Sequence, residues 1–166
     1  MAVDTVVEHA GNLHGHDDAA LWEQSIGEFV NLLHQHGHVH QGIIVQIRIP
    51  NSSARLAVGT AFISRTPADA PIVNAAVRVT LTDSDAIKEA AAVIGGASNA
   101  QIASLKLNLL AGKSLGEIDL RAIAEYIEKN VSPFSDTLGS AEYRRKMAGV
   151  CVQRALEDCR AQVENR

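Results

Sequence analysis

Hydrophobic positions recur along this chain with two different periods, and the change between them predicts where helix gives way to strand. Between residues 19 and 33, Trp22, Ile26, Phe29, Val30 and Leu33 keep the i, i+4, i+7, i+8 spacing of one helical face. Asp17 or Asp18 stands ready as N-cap and Gly37 as a stop. From residue 42 the period is two. In GIIVQIRIP, Ile43, Val45, Ile47 and Ile49 fall on one side and Gln46 and Arg48 on the other, which predicts a half-buried strand closed by Pro50. After the turn-like Asn51-Ser52-Ser53, RLAVGTAFIS alternates again, and IVNAAVRVTL puts Val73, Ala75, Val77, Val79 and Leu81 on one face. Short polar connections between these runs predict an antiparallel sheet.

The pattern of residues 84–96, SDAIKEAAAVIGG, supports two readings. Alanine content and Ser84 as a cap favour helix, whereas Val93-Ile94 running into Gly95-Gly96 favours a strand entering a turn. Beyond Ser98 the spacing predicts mostly helix. A short segment around Ile102 to Leu110 ends at Gly112, a helix runs from about Asp119 to Asn130, and a long final helix follows Gly139-Ser140. On that last helix Ala148, Cys151, Val152, Ala155, Leu156 and Cys159 form one apolar stripe suited to core packing. Strands followed by helices imply an α+β fold, a small antiparallel sheet of three to four strands packed against a C-terminal set of helices. Residues 1–18 are polar and lack a clear period, so the expected organisation is an N-terminal arm and helix over 1–40 and a folded domain over 41–166.

Composition narrows the function classes. With 166 residues and 46% hydrophobic content the chain is long enough for one compact domain with a real core. A net charge of -4 and a pI near 5.9 give no electrostatic reason to bind nucleic acid or an anionic membrane. No apolar run approaches the ~20 residues of a spanning helix, and MAVDTVVEHAGN lacks the basic-then-apolar order of a secretory signal, so a cytoplasmic protein is expected. Cys151 and Cys159 would lie roughly 12 Å apart along one helix, too far for a disulfide. They read as small buried apolar residues.

Candidate chemistry lies in the histidines. HQHGHVH sets His34, His36, His38 and His40 at alternate positions, and His14-Gly15-His16-Asp17-Asp18 forms a second cluster. An extended backbone would bring the four imidazoles to one side, where two or three could chelate zinc or nickel, whereas a helix would pair His34 with His38. A solvated polar loop, with at most adventitious affinity for nickel or zinc, is the preferred reading of the run. Ser135 and Asp136 beside a histidine could form a hydrolytic triad on paper, but no G-x-S-x-G elbow is present and Ser135 suits a capping role.

Near the C-terminus, SPFSDTLGSAEYRRKMAGVCVQRAL places Asp136 to accept from the amides of the following turn, Gly139 to permit a reversal and Ser140 to cap a helix. Tyr143, Arg144 and Arg145 occupy the first turns of that helix. Paired guanidinium groups suit a partner's carboxylates or phosphates, but the favoured reading is an internal tie of an arginine to Asp136 or Glu142, with the tyrosine ring covering the core. This segment resembles the close of the flavoprotein subunit of molybdenum hydroxylases, the family of xanthine dehydrogenases and molybdenum-type carbon monoxide dehydrogenases. GIIVQIRIP, RTPADAPIVNAAVRV, IGGASNAQI and LLAGKSL resemble further family segments in the same order, over about residues 41–157.

The resemblance implies the C-terminal domain fold of that subunit, with GIIVQIRIP opening it and a strand leading into Gly95-Gly96. It implies a component that is non-catalytic alone and assembles with other subunits, which carry FAD, iron-sulfur clusters and molybdopterin. A homo-oligomer is also compatible. The chain departs from the family in two respects. It shows no glycine-rich phosphate loop, and the stretch from Asn51 to Ser64 has no lysine where many members place one near the flavin. The alternative is a small His-rich metal-binding or sensory module that reuses the fold.

Overall fold

A computed structural model describes residues 6–11, 21–25, 28, 42–49, 55–98 and 102–165. The chain forms two compact units rather than one, Met1–Ser53 and Ala54–Arg166. The division after Ser53 assigns the GIIVQIRIP strand to the first unit, where the sequence suggested that it opens the second.

In the first unit, β1 (Val6–Gly11) lies between β2 (Leu21–Ser25) and β3 (Gly42–Arg48) in an antiparallel sheet of order β2-β1-β3. This corrects two expectations. The supposed loose arm contains a strand, and the supposed helix from Ala19 begins as a strand whose Trp22 pairs with His9. The physical reason is local. Ser25 and Glu28 form the reciprocal bonds of a capping box, with Glu28 N–H donating to Ser25 Oγ (3.2 Å) and Ser25 N–H to a Glu28 carboxylate oxygen (3.0 Å). The box makes Ser25 the N-cap, and Leu21 to Gln24 before it pair with β1. Ile26, Phe29, Val30 and Leu33 lie outside the described residues. β3 pairs with β1 and not with the next strand, with a register shift between Glu8 and His9. Its residues are exposed on both faces, Ile44 as well as Val45 and Ile47, so the half-buried pattern expected of it is not found among the described residues.

The second unit is the α+β domain. β4 (Arg55–Ile63), β5 (Val73–Leu81), β6 (Ile87–Gly95) and β7 (Ile102–Lys106) form an antiparallel sheet in chain order. Alternation sets the register: Val73, Ala75, Val77 and Val79 are buried on one face and stand opposite Ile63, Ala61, Gly59 and Ala57 of β4. The ambiguous stretch is the strand β6, its tight entry made by Asp85 at a positive φ of 60°. The segment from Ile102 is also a strand, where helix was expected. β7 pairs with β6 from Gly95↔Ile102 to Ala91↔Lys106, and a single 3-10 turn at Asn108–Leu110 follows. A run of five residues alternating in exposure gains its partner from the sheet, which outweighs a weak helical spacing.

Two helices cover one face of this sheet. α1 (Leu120–Asn130) starts at Asp119, whose carboxylate accepts from the amides of Arg121 (3.0 Å) and Ala122 (3.1 Å). α2 (Ala141–Glu164) starts at Ser140 and buries Ala148, Cys151, Val152, Ala155, Leu156 and Cys159, the stripe its sequence foretells. Against these pack Val77, Val79, Ile87, Ile94, Leu107, Leu110, Ile123 and Ile127, all nearly fully buried. Removing the Asp119 cap by Asp119→Ala leaves two N–H groups of the first turn without their acceptor. The expected loss is about 1 kcal/mol in urea denaturation, and an unchanged midpoint would contradict the capping role.

α2 also seals the outer edge of the sheet. Gln162 accepts from Val58 N–H (3.2 Å) and donates to Val58 C=O (2.7 Å), and Asp158 accepts from Thr60 N–H (3.3 Å). β4 is an edge strand by sheet order, so these side chains stand in for a missing neighbour strand and blunt edge-to-edge association.

Candidate functional site

Of the residues singled out from sequence, Ser135, Asp136, Ser140 and Arg144 meet around one turn. Asp136 lies in the turn before α2, where its Oδ1 accepts from Leu138 N–H (2.9 Å) and Gly139 N–H (3.0 Å). Ser140 Oγ accepts from Tyr143 N–H (3.1 Å), and Ser135 Oγ accepts from Ala141 N–H (2.8 Å). These bonds fix the turn and start the helix, so Ser135 is a capping residue as its position suggested.

One turn into α2, Arg144 points back under that loop. Its side chain is 3% exposed, and its Nη2 reaches both carboxylate oxygens of Asp136 at 2.7 Å. Nη1 donates to the backbone carbonyls of Ile72, just before β5, and of Gly96 (3.2 Å), just after β6. The Phe134 ring lies beneath the guanidinium, 4.8 Å from its carbon to the ring centroid. Nε is buried without a hydrogen-bond partner among the described residues. Arg144 thus ties the pre-α2 turn, the entrance of β5 and the exit of β6 into one junction. Asp136 carries an unusually acidic carboxyl, held below the ordinary carboxylate range chiefly by the hydrogen bond from Arg144 and assisted by the Leu138 and Gly139 amides, against some desolvation.

The two arginines of the motif are not equivalent. Arg144 is the internal tie, while Arg145 is half-buried and Glu142 pairs with Lys146 at 3.4 Å instead of with either arginine. Tyr143 is 39% exposed and lies at the surface beside Gly139, so its ring does not close the core. Sequence reasoning missed Phe134 and Gly96. Gly96 has a φ of 72°, and a Cβ there would stand 2.2 Å from Ile72 O and 2.9 Å from Arg144 Nη1. The signal was the pair Gly95-Gly96 after a β-branched run, which marks a backbone that must come close to something.

Chemically this junction is a brace. It contains a cation, an anion and backbone carbonyls, all engaged with one another, and no nucleophile beside a base. The thiols are equally inert. Cys151 and Cys159 are both fully buried, their S–H groups directed at the carbonyls of Val73 and Val77, and burial pushes each thiol up to about 11. Both should react with a disulfide reagent at neutral pH only on unfolding; prompt labelling of the native chain would contradict this.

A flavin pyrophosphate needs a cradle of free backbone amides, and the described residues do not fit one. The two glycines with positive φ among the described residues are spent on the fold. Gly96 braces Arg144, and Gly112 N–H donates to Ile87 O at 2.8 Å. Among the described residues no group of three or more His, Cys, Asp or Glu is placed to hold a metal. His34, His36, His38 and His40 lie outside the described residues, as do His14 and His16. No described helix is long and apolar enough to cross a membrane.

Comparison with known proteins gives the fold a lineage. The carbon monoxide dehydrogenase medium chain of Afipia carboxidovorans is 28% identical over 123 residues, which are 74% of this chain and 43% of that protein. The carbon monoxide dehydrogenase of Hydrogenophaga pseudoflava superimposes over 97% of this chain and 54% of its own, with a TM-score of 0.71 and 20% identity. Quinoline 2-oxidoreductase of Pseudomonas putida 86 does so over 96% and 53%, with a TM-score of 0.69 and 19% identity. This chain therefore spans about half the length of the relatives it matches. The family described as the CO dehydrogenase flavoprotein C-terminal domain matches residues 61–159, which run from the end of β4 through the Arg144 junction and nearly all of α2, and the chain belongs to that family.

Proposed function

We propose that this chain is a non-catalytic component of a molybdenum-hydroxylase-type oxidoreductase, acting in assembly by docking to the part of the enzyme that holds the flavin. The observation that carries the reading is the family match over residues 61–159 together with described residues that fit no pyrophosphate. A domain of a flavoprotein family whose described residues form no flavin cradle contributes structure, with the redox chemistry supplied by partner domains or subunits. FAD, iron-sulfur clusters and molybdopterin are accordingly assigned to partner domains or subunits. A cytoplasmic setting, with no nucleic acid or membrane partner, suits that assignment.

The test is gentle affinity capture of the chain from its native host, with mass identification of whatever accompanies it and a visible spectrum of the eluate. Recovery with a flavin or molybdenum subunit and with flavin and iron-sulfur absorbance is the expected result. Recovery of a colourless chain alone would overturn the assembly role.

A further inference from the structure

The turn joining β4 to β5 and the outer side of α2 enclose a shallow cleft of ≈ 330 Å³, lined by Phe62, Ser64, Arg65, Thr66, Pro67 and Arg154 among others. Two arginines from distant parts of the chain meet there, in a protein whose net charge is -4. Neither is neutralised well. Arg65 reaches Asp69 only at 3.8 Å, with both side chains substantially exposed, and no carboxylate pairs with Arg154 among the described residues. The acids that follow on α2 form no ion pair with Arg154 among the described residues and hydrogen-bond to other groups. Asp158 accepts from Thr60 N–H at 3.3 Å, and Glu157 accepts from the Gln153 amide at 3.3 Å.

The cleft is also held in shape. Ser64 Oγ donates to Thr66 O (2.8 Å), Asp69 N–H to Thr66 O (3.1 Å) and Ile72 N–H to Ile63 O (2.8 Å), so the Arg65 turn is braced from within and at its base.

Like charges brought into one concave site repel unless an anion joins them, and two guanidinium groups on separate elements offer more forked donors than a carboxylate can use. One arginine already saturates a carboxylate bidentately, whereas a phosphoryl group presents three terminal oxygens and can engage both. We propose that this cleft binds a phosphate monoester, with Arg65 and Arg154 on the phosphoryl oxygens. The assignment is independent of the assembly role, since neither the Arg144 junction nor a docking partner enters it.

Titration of the 15N-labelled full chain with inorganic phosphate and with phenyl phosphate, at low salt, tests it. Saturable shifts of the Ser64, Arg65 and Thr66 amides and of the Arg154 Nε–H are expected with both ligands, with binding weakened by added salt. Arg65→Gln and Arg154→Gln should each weaken phenyl phosphate by about tenfold, and Arg121→Gln on α1 should leave it unchanged. Both cleft arginines are exposed, so the variants should keep the wild-type melting temperature; Arg65→Lys and Arg154→Lys, with charge retained and the fork removed, give intermediate affinity and a second reading if either glutamine variant misfolds. Shifts that fail to saturate, glutamine variants that bind as wild type, or benzoate binding as tightly as phenyl phosphate would each overturn the proposal.

Discussion

Arg144→Ala should lower the stability of the second unit by about 3 kcal/mol in urea denaturation, while Arg145→Ala should shift it by no more than about 0.5 kcal/mol. The contrast follows from what each side chain touches. Arg144 is 3% exposed and holds Asp136 and the carbonyls of Ile72 and Gly96 at once, so truncation strips three acceptors of their donor at a closed junction. Arg145 is half-buried on the same helix and takes no part in it. Against a typical folding free energy of about 5–15 kcal/mol, a loss of this size is visible without abolishing folding. If Arg144→Ala does not fold, Arg144→Lys keeps the charge but not the fork, and should still be measurably weaker than wild type.

The same junction sets a pH signature. The carboxyl of Asp136 is depressed in the folded state, so its contribution is fully present above the ordinary unfolded carboxylate value of about 3.9 and is lost as pH falls through the lower folded value. Asp136→Asn should therefore be destabilising at neutral pH and should flatten the acid limb of the stability profile. Equal effects of Arg144→Ala and Arg145→Ala would show that the junction does not support the fold.

What could be read from the sequence follows the strength of local signals. The period of two in β4 and β5, the Asp119 and Ser140 caps and the stripe on α2 each combine a pattern with a start or stop residue, and the structure has these elements where they were expected. The α+β class follows from them. Failures came where pairing across the sheet decides. Leu21 to Ser25 carried an apparent helical spacing, and their strand depends on β1, a partner with no clear period of its own. Ile102 to Lys106 became β7 because β6 offered an edge, which spacing within five residues cannot announce.

The site divides along the same line. Asp136 and Ser140 could be placed as turn and cap residues because their hydrogen bonds are to amides two or three positions away. Which of two adjacent arginines turns inward could not, because that depends on carbonyls at Ile72 and Gly96, remote in sequence and set only by the fold. The resemblance to a flavoprotein domain rested on several motifs in order, which is why it survived errors in individual elements.

Gly59→Ala should destabilise the domain at the upper end of the ~1–3 kcal/mol seen for overpacked sites, although it adds a single methyl group in a strand that already carries Ala57 and Ala61 on the same face. Gly59 lies in the middle of β4, paired with Val77, directly under α2. A Cβ there would stand 1.8 Å from Ala155 O and 3.1 Å from Cys159 Sγ. The first obstacle is helix backbone and cannot swing aside as a side chain could, so α2 must move away from the sheet. That movement would strain the bonds from Gln162 and Asp158 that seal the edge of β4 and would open the packing of Ala155 and Cys159, both 0% exposed. The glycine is thus a spacer that sets the distance between helix and sheet. Its effect should extend beyond the melting point, with Cys159 in Gly59→Ala becoming reactive to a thiol reagent under native conditions while Cys151, two turns earlier on α2, stays protected. A variant as stable as wild type with both thiols still protected would mean that α2 can shift without loss, and that the close approach at Gly59 does not fix the packing of this face.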